Sequence, residues 1–215
     1  VTLPLGFVLL AQNMNSSNPL VRKAIDYVCN IRGLSEDDLW YFRFGISDEY
    51  RYKNRVIMPS FDAFGKLNYF TARTRDNAVD PAWKYFNARC KKTEIIFNEL
   101  HIDWAKPLTI VEGPFDITKC NQNAVPLLGS TIKTGSLLFE RIVENRTPST
   151  IVLDAGEHKK TRQIAELLTR YDVPVWTANI AERGVDPGSM TKEHFEQHLT
   201  TRKKWDSMRR LTDLL

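Results

Sequence analysis

Leu108-Thr-Ile-Val-Glu112-Gly-Pro-Phe-Asp116 is the stretch from which the fold of this chain is read. Four residues of strand character run into a carboxylate, Glu112. Gly113 then supplies a turn and Asp116 a second carboxylate. Farther on, Thr150-Ile-Val-Leu-Asp154 again drives a β-branched run into an acid, with Glu157 at the start of the next helix. Two buried strands that each deliver a carboxylate to their C-terminal end point to a shared acidic site, because open α/β sheets bind ligands at that edge. Paired acids there suit Mg²⁺, which takes oxygen ligands and bridges to phosphate. Each acid also has an ordinary reading: Glu112 as a helix cap, Asp116 as a solvated face residue, Glu157 as a partner of the helix dipole. The second acid-ended strand weighs against the ordinary reading for Glu112.

Outward from this stretch the pattern alternates. Strand 108–112, a short helix at 115–121, strand 124–128, helix 135–144, strand 149–154, helix 158–170 and strand 173–178 imply βαβ units and a parallel sheet. Upstream the rhythm differs. Asn18-Pro19 opens a helix that Gly33 stops, and Ser35 with Asp38 resembles a capping box. Arg55-Val-Ile-Met-Pro59 and Leu67–Arg73 flank the turn candidate Asp62-Ala-Phe-Gly65, so two short antiparallel strands are expected. Residues 76–93 are polar and irregular, and Glu94-Ile-Ile-Phe97 reads as another strand. After Gly184 the chain turns helical and polar over Thr191–Thr200 and ends basic at Arg202, Lys203, Lys204, Arg209 and Arg210. The division expected is an α+β basic subdomain over 1–105, a metal-binding sheet over 106–180 and a helical basic tail over 181–215.

A hydrophobic fraction of 42% with 11% aromatics supports a real core and excludes a disordered chain. The net charge of +4 is compatible with nucleic acid without requiring it. Cys29, Cys90 and Cys120 form no CxxC pair, which argues against a zinc ribbon and fits reduced thiols. No apolar run reaches the roughly 18 residues of a membrane helix, so no membrane partner is expected. The chain opens on Val1 rather than Met, which suggests further sequence upstream.

Arg55, Arg73 and Lys84 form a basic set ahead of the sheet, and Trp83-Lys-Tyr-Phe-Asn87 interleaves a base, aromatics and an amide. That mixture suits phosphate contact and base stacking, and equally a half-buried strand. His194 and His198 lie four apart on one helix face but lack a completing ligand, which favours an ordinary amphipathic helix. No Walker loop and no Ser-His-Asp signature is present.

Taken together, these features resemble the catalytic core of DnaG-type DNA primases, most nearly a phage primase. Glu112-Gly-Pro-Phe-Asp116 resembles the first motif of the TOPRIM domain shared by primases and topoisomerases, including Gly113. Leu127-Leu-Gly129-Ser resembles the loop after its second strand, and Leu153-Asp154 opens the motif that normally reads Asp-x-Asp. Gly184-Val-Asp186-Pro-Gly188 resembles the Lys-Asp-Pro segment that closes such domains. Upstream, residues 55–59 and 65–73 resemble the family's basic hairpin, and Lys84-Tyr-Phe-Asn87 its Lys-Tyr-Leu-Asn segment. Two departures stand out: Gly156 takes the place of the second aspartate, with Glu157 one position on, and a family lysine falls on Asn98 or Glu99.

The resemblance implies a TOPRIM-type α/β parallel-sheet domain preceded by a mixed α+β primase subdomain. It implies synthesis of short RNA primers on single-stranded DNA, in the cytoplasm of a bacterial or phage-infected cell. Glu112 and Asp154 are the implied catalytic residues, and Glu112, Asp116, Asp154 and Glu157 the implied ligands of Mg²⁺, with Mn²⁺ able to substitute. Arg55, Arg73, Lys84 and Asn87 are implied to contact template or nucleotide, with Asp186, Gly113 and Gly129 in secondary roles. Implied partners are the template, ribonucleoside triphosphates and a replicative helicase, and any zinc belongs to a module upstream. A TOPRIM nuclease, or a degenerate scaffold binding DNA or helicase, are the alternatives.

Overall fold

The computed structural model describes residues 1–76, 78–120, 123–129, 131–178, 180 and 187–206, which form two compact units. One comprises Val1–Lys91 with Phe97–Leu100, and the other Lys92–Ile96 with the chain from His101 onward.

The first unit is built on an antiparallel sheet. Its strands are β1 (Val8–Leu9), β2 (Gly45–Ile46), β3 (Arg55–Phe61), β4 (Leu67–Thr74) and β5 (Tyr85–Asn87), hydrogen-bonded in that order. The expected hairpin is β3–β4, with Ile57 opposite Ala72 and Pro59 opposite Phe70. Its turn closes through Gly65 N–H to the Asp62 carbonyl, and Gly65 takes the left-handed φ of +79° that favours glycine. Helix α1 (Pro19–Asp26) starts where Asn18 Oδ1 accepts from Leu20 N–H at 2.9 Å, runs on as a π turn over Tyr27–Ile31, and stops before Gly33 at φ 64°. Helix α2 (Glu36–Tyr41) carries the full capping box of Ser35 and Asp38.

The second unit holds the parallel sheet. Strands β6 (Leu108–Val111), β7 (Ala124–Pro126), β8 (Ser149–Ile151) and β9 (Val175–Thr177) run parallel in the order β9-β8-β6-β7. Helices α3 (Leu137–Glu144) and α4 (His158–Thr169) bury one face each, with Leu138, Phe139, Ile142, Ile164 and Leu168 packed with Leu108, Ile110, Ile151 and Val175. At roughly 1.5–3 kcal/mol for each fully buried Leu or Ile, this cluster is the main source of the unit's stability. The tail carries the expected helix, α5 (Lys192–Thr200), and then adds strand β10 (Lys203–Lys204), antiparallel to β9 with Lys204 opposite Trp176.

Glu94–Phe97 is not a strand. Lys92–Glu94 forms one 3-10 turn, and of the three apolar residues that follow, the two buried ones, Ile96 and Phe97, serve different cores. Ile96 joins the cluster of the parallel-sheet unit, and Phe97 packs edge-on to Tyr69 in the other. Among the described residues no helix is long and apolar enough to cross a membrane.

Candidate active site

The chain leaves β6 to form β7 on one side, then returns to place β8 on the other. The boundary between β6 and β8 is therefore a topological switch point, where open sheets leave a crevice at their carboxyl edge. Ile110 pairs with Ile151, and Val152 N–H donates to the Ile110 carbonyl at 2.9 Å. Both strands thus end side by side; Glu112 follows β6 directly, and Asp154 comes three residues after β8, which stops at Ile151 and not at the expected residue 154.

Three side chains meet there. Lys160, in the first turn of α4, places its Nζ 2.9 Å from Glu112 Oε1 and 3.0 Å from Glu157 Oε2. The Lys160 side chain is only 16% exposed and that of Glu112 28%, so solvent screens this pair less than a surface ion pair. Burial works against the ammonium, but hydrogen bonds and charge from Glu112 and Glu157 outweigh it and raise Lys160 above the ordinary lysine value. Glu112 Oε2 is buried and accepts no hydrogen bond. The Asp154-Ala-Gly-Glu157 turn explains how Glu157 arrives: Glu157 N–H donates to the Asp154 carbonyl at 3.1 Å, and Gly156 takes φ +97°. Gly156 thus bends the chain so that the next acid, Glu157, reaches Lys160.

Asp116 is used differently. Its Oδ2 accepts from Gly113 N–H at 2.7 Å, which closes the turn after β6. A Cβ on Gly113 would stand 3.1 Å from that oxygen, so this residue fits closely against its own turn. Among the described residues no three His, Cys, Asp or Glu side chains are placed to hold a metal together. The four expected ligands do not close into one cluster, because an ammonium stands between Glu112 and Glu157 and Asp116 braces a turn. The donors themselves fit Mg²⁺ or Mn²⁺: they are carboxylate oxygens, one of them buried and unpartnered.

The basic set lies in the first unit. Arg55 is buried, donating to the carbonyls of Trp83 at 2.7 Å, Lys84 at 3.1 Å and Ala72 at 3.3 Å, and its guanidinium lies 3.7 Å from the centroid of the Phe86 ring. It holds the β4–β5 edge together. Arg73 donates through Nε to the Tyr27 hydroxyl at 3.0 Å and through a terminal nitrogen to the Tyr85 hydroxyl. Lys84 lies over the Tyr85 ring, and Asn87 Oδ1 accepts from Thr71 Oγ1 at 2.7 Å. An open pocket of about 390 Å³ has Arg51, Tyr52, Phe70, Asn87 and Arg89 among its lining residues, so Asn87 faces a basic, aromatic hollow.

Three residues carried no sequence signal of a role here. Lys160 is one basic residue among several on α4. Arg89 lies outside every motif. Arg75, whose Nε is buried with no hydrogen-bond partner, sits just past β4. Gly129 follows Leu128, which takes a left-handed φ of 54°. Asp186, with Ser130, Gly184, Arg209 and Arg210, lies outside the described residues. His194 and His198 lie on α5, as an amphipathic helix predicts.

No protein-family model matches the chain, and no curated protein matches it in sequence. Solved structures do. A DnaG primase catalytic domain bound to single-stranded DNA is 18% identical, with 91% of this chain and 79% of that one covered at a TM-score of 0.66. The zinc-binding and RNA polymerase domains of the Aquifex aeolicus primase give 18% identity and a TM-score of 0.70, covering 92% of this chain and 60% of that one. The RNA polymerase domain of Mycobacterium tuberculosis primase DnaG gives 15% identity and a TM-score of 0.65, covering 91% and 83%. With identities this low the likeness speaks to architecture: the chain folds like the catalytic cores of DnaG primases.

Proposed function

We propose that this chain is a primase-type RNA polymerase core that joins ribonucleotides on a single-stranded DNA template. One observation carries the reading: Glu112, directly after β6, and Asp154, three residues after the neighbouring β8, lie beyond the carboxyl ends of the two strands that flank the switch point, in a chain that folds like DnaG primase catalytic cores. In the reaction, a primer 3′-oxygen bonds to the α-phosphorus of an incoming ribonucleoside triphosphate. The bond to the β-phosphate breaks, pyrophosphate leaves, and the hydroxyl proton passes to water. Glu112, Glu157 and Asp154 are the residues that would hold a divalent ion, with Asp116 fixing the turn that aims Glu112. Mg²⁺ or Mn²⁺, when bound, lowers the charge barrier to attack and stabilises the departing pyrophosphate. Lys84, together with Asn87 and the arginines Arg51 and Arg89 that line a pocket with Asn87, supplies contacts for template or triphosphate, while Arg55 and Arg73 brace the neighbouring strands. A replicative helicase is the expected protein partner.

The test is primer synthesis on a single-stranded template with the four ribonucleoside triphosphates and Mg²⁺ or Mn²⁺. Glu112→Gln and Asp154→Asn are expected to lower synthesis at least about a hundredfold. Undiminished synthesis in both would overturn the assignment of the acids. A second reading, a scaffold that binds DNA or helicase without chemistry, is favoured by Lys160, whose ammonium already balances Glu112 and Glu157. DNA binding with no synthesis by the parent chain selects that reading. Loss of labelled DNA in Mg²⁺ without nucleotides selects a nuclease.

A further inference from the structure

We infer that Lys160 is the resident counter-cation of the acidic site: its ammonium holds Glu112 and Glu157 at rest and must withdraw before a divalent ion binds between them. The inference rests on the metal-site reading of these carboxylates and adds a positioning residue that controls access to them.

Three observations carry it. Nζ lies 2.9 Å from a Glu112 oxygen and 3.0 Å from a Glu157 oxygen, so it stands in hydrogen-bond contact with both acids at once. A divalent ion held by Glu112 and Glu157 would compete for the carboxylates that the ammonium already engages and would meet its positive charge at short range. Ammonium and ion therefore exclude each other. Second, Glu112 engages Lys160 through Oε1 alone while its buried Oε2 accepts nothing. A buried carboxylate oxygen with no donor is costly, and an entering cation satisfies it. Third, Lys160 reaches the site on a flexible four-carbon stem from the first turn of α4, so its head group can swing aside without moving the helix. Glu157 lies on the same helix start and is 40% exposed in its side chain, which leaves it free to follow either cation.

The consequence is a site that is electrostatically satisfied before metal arrives and binds metal more weakly than its carboxylates alone would. The experiment titrates Mn²⁺ into the full chain and follows free Mn²⁺ by electron paramagnetic resonance, in the parent, Lys160→Met and Lys159→Met. Lys159 is exposed and one position away, so it carries the same change of formal charge without the contacts. Lys160→Met is expected to bind Mn²⁺ about tenfold more tightly than the parent, and Lys159→Met within about twofold of it. Lys160→Gln repeats the test should the methionine variant fail to melt cooperatively. Equal or weaker Mn²⁺ binding in folded Lys160 variants, with the parent binding, overturns the inference and leaves the metal-site reading standing. No binding by the parent or by any variant overturns both.

Discussion

Asp116 Oδ2 accepts a hydrogen bond from Gly113 N–H at 2.7 Å, so the second acid of the Glu112–Asp116 motif is part of the turn that carries the first. A charge-assisted bond of this kind contributes about 1.5–3 kcal/mol. Asp116→Ala is expected to destabilise the metal-free chain by about 2 kcal/mol, and Asp116→Asn by less, since its amide oxygen still accepts. Urea melts in chelator check this. Metal-free stability that does not change in Asp116→Ala would mean the carboxylate serves a ligand and not the turn.

Arg55 fills the opposite expectation. Its guanidinium is spent on three carbonyls and a ring face, and burial lowers it from the ordinary arginine value without removing its charge. Arg55→Met removes the side-chain donor from the Trp83, Lys84 and Ala72 carbonyls, at a cost of about 2–3 kcal/mol. Guanidinium chloride melts should show that loss, together with weakened packing of Tyr85–Asn87. A variant that melts like the parent yet loses template affinity would instead make Arg55 a direct contact.

Much of the fold was legible because each cue was local. The run ending at Glu112 falls on β6 and the alternation after Pro107 on the sheet and its helices, while the run toward Asp154 stays a strand only to Ile151. Strand 124–128 stops at Pro126 because Leu128 turns left-handed, a conformation that no leucine advertises. Glu94–Phe97 reads as a strand because its apolar residues run together, yet the buried Ile96 and Phe97 belong to different cores. At the site, the acids could be read from strand ends, but Lys160 could not. Its meeting with Glu112 joins residues from two elements far apart in sequence, and nothing in the composition of α4 separates it from Lys159. Arginines mislead for a related reason: a guanidinium that binds phosphate and one that binds carbonyls look alike in sequence.

Gly156 is the residue most exposed to a backbone test. Its φ of +97° is one that side-chain-bearing residues rarely adopt, and a Cβ there would meet nothing within 4 Å, so only the backbone conformation opposes substitution. Gly156→Ala is expected to cost about 1–2 kcal/mol and to loosen the Glu157–Lys160 contact at 3.0 Å. Gly156→Asp, which adds a carboxylate beside Glu157, carries the same strain and should not outperform the parent in primer synthesis. A thermal melt of Gly156→Ala that matches the parent would show that the turn tolerates other conformations.

Cys29 allows a pH test far from the acids. Burial in the π turn, followed by the charges of Glu36, Asp26 and Asp38, raises its thiol above the ordinary value of 9.0. The thiolate is the reactive form, so a raised value leaves less of it at any pH below the transition and postpones labelling to higher pH. In a chain with Cys90 and Cys120 replaced by serine, labelling of Cys29 by a neutral disulfide reagent at pH 8 should be several-fold slower than that of an unperturbed thiol. The rate should climb as pH passes 9 and continue past the point where a free cysteine levels off. Glu36→Gln removes the carboxylate that acts most strongly on the thiol and should move the whole profile to lower pH. Because burial remains the leading cause, that variant should shift the profile only part of the way back. A profile for the parent that coincides with that of a free thiol would show that neither burial nor the acids act on Cys29.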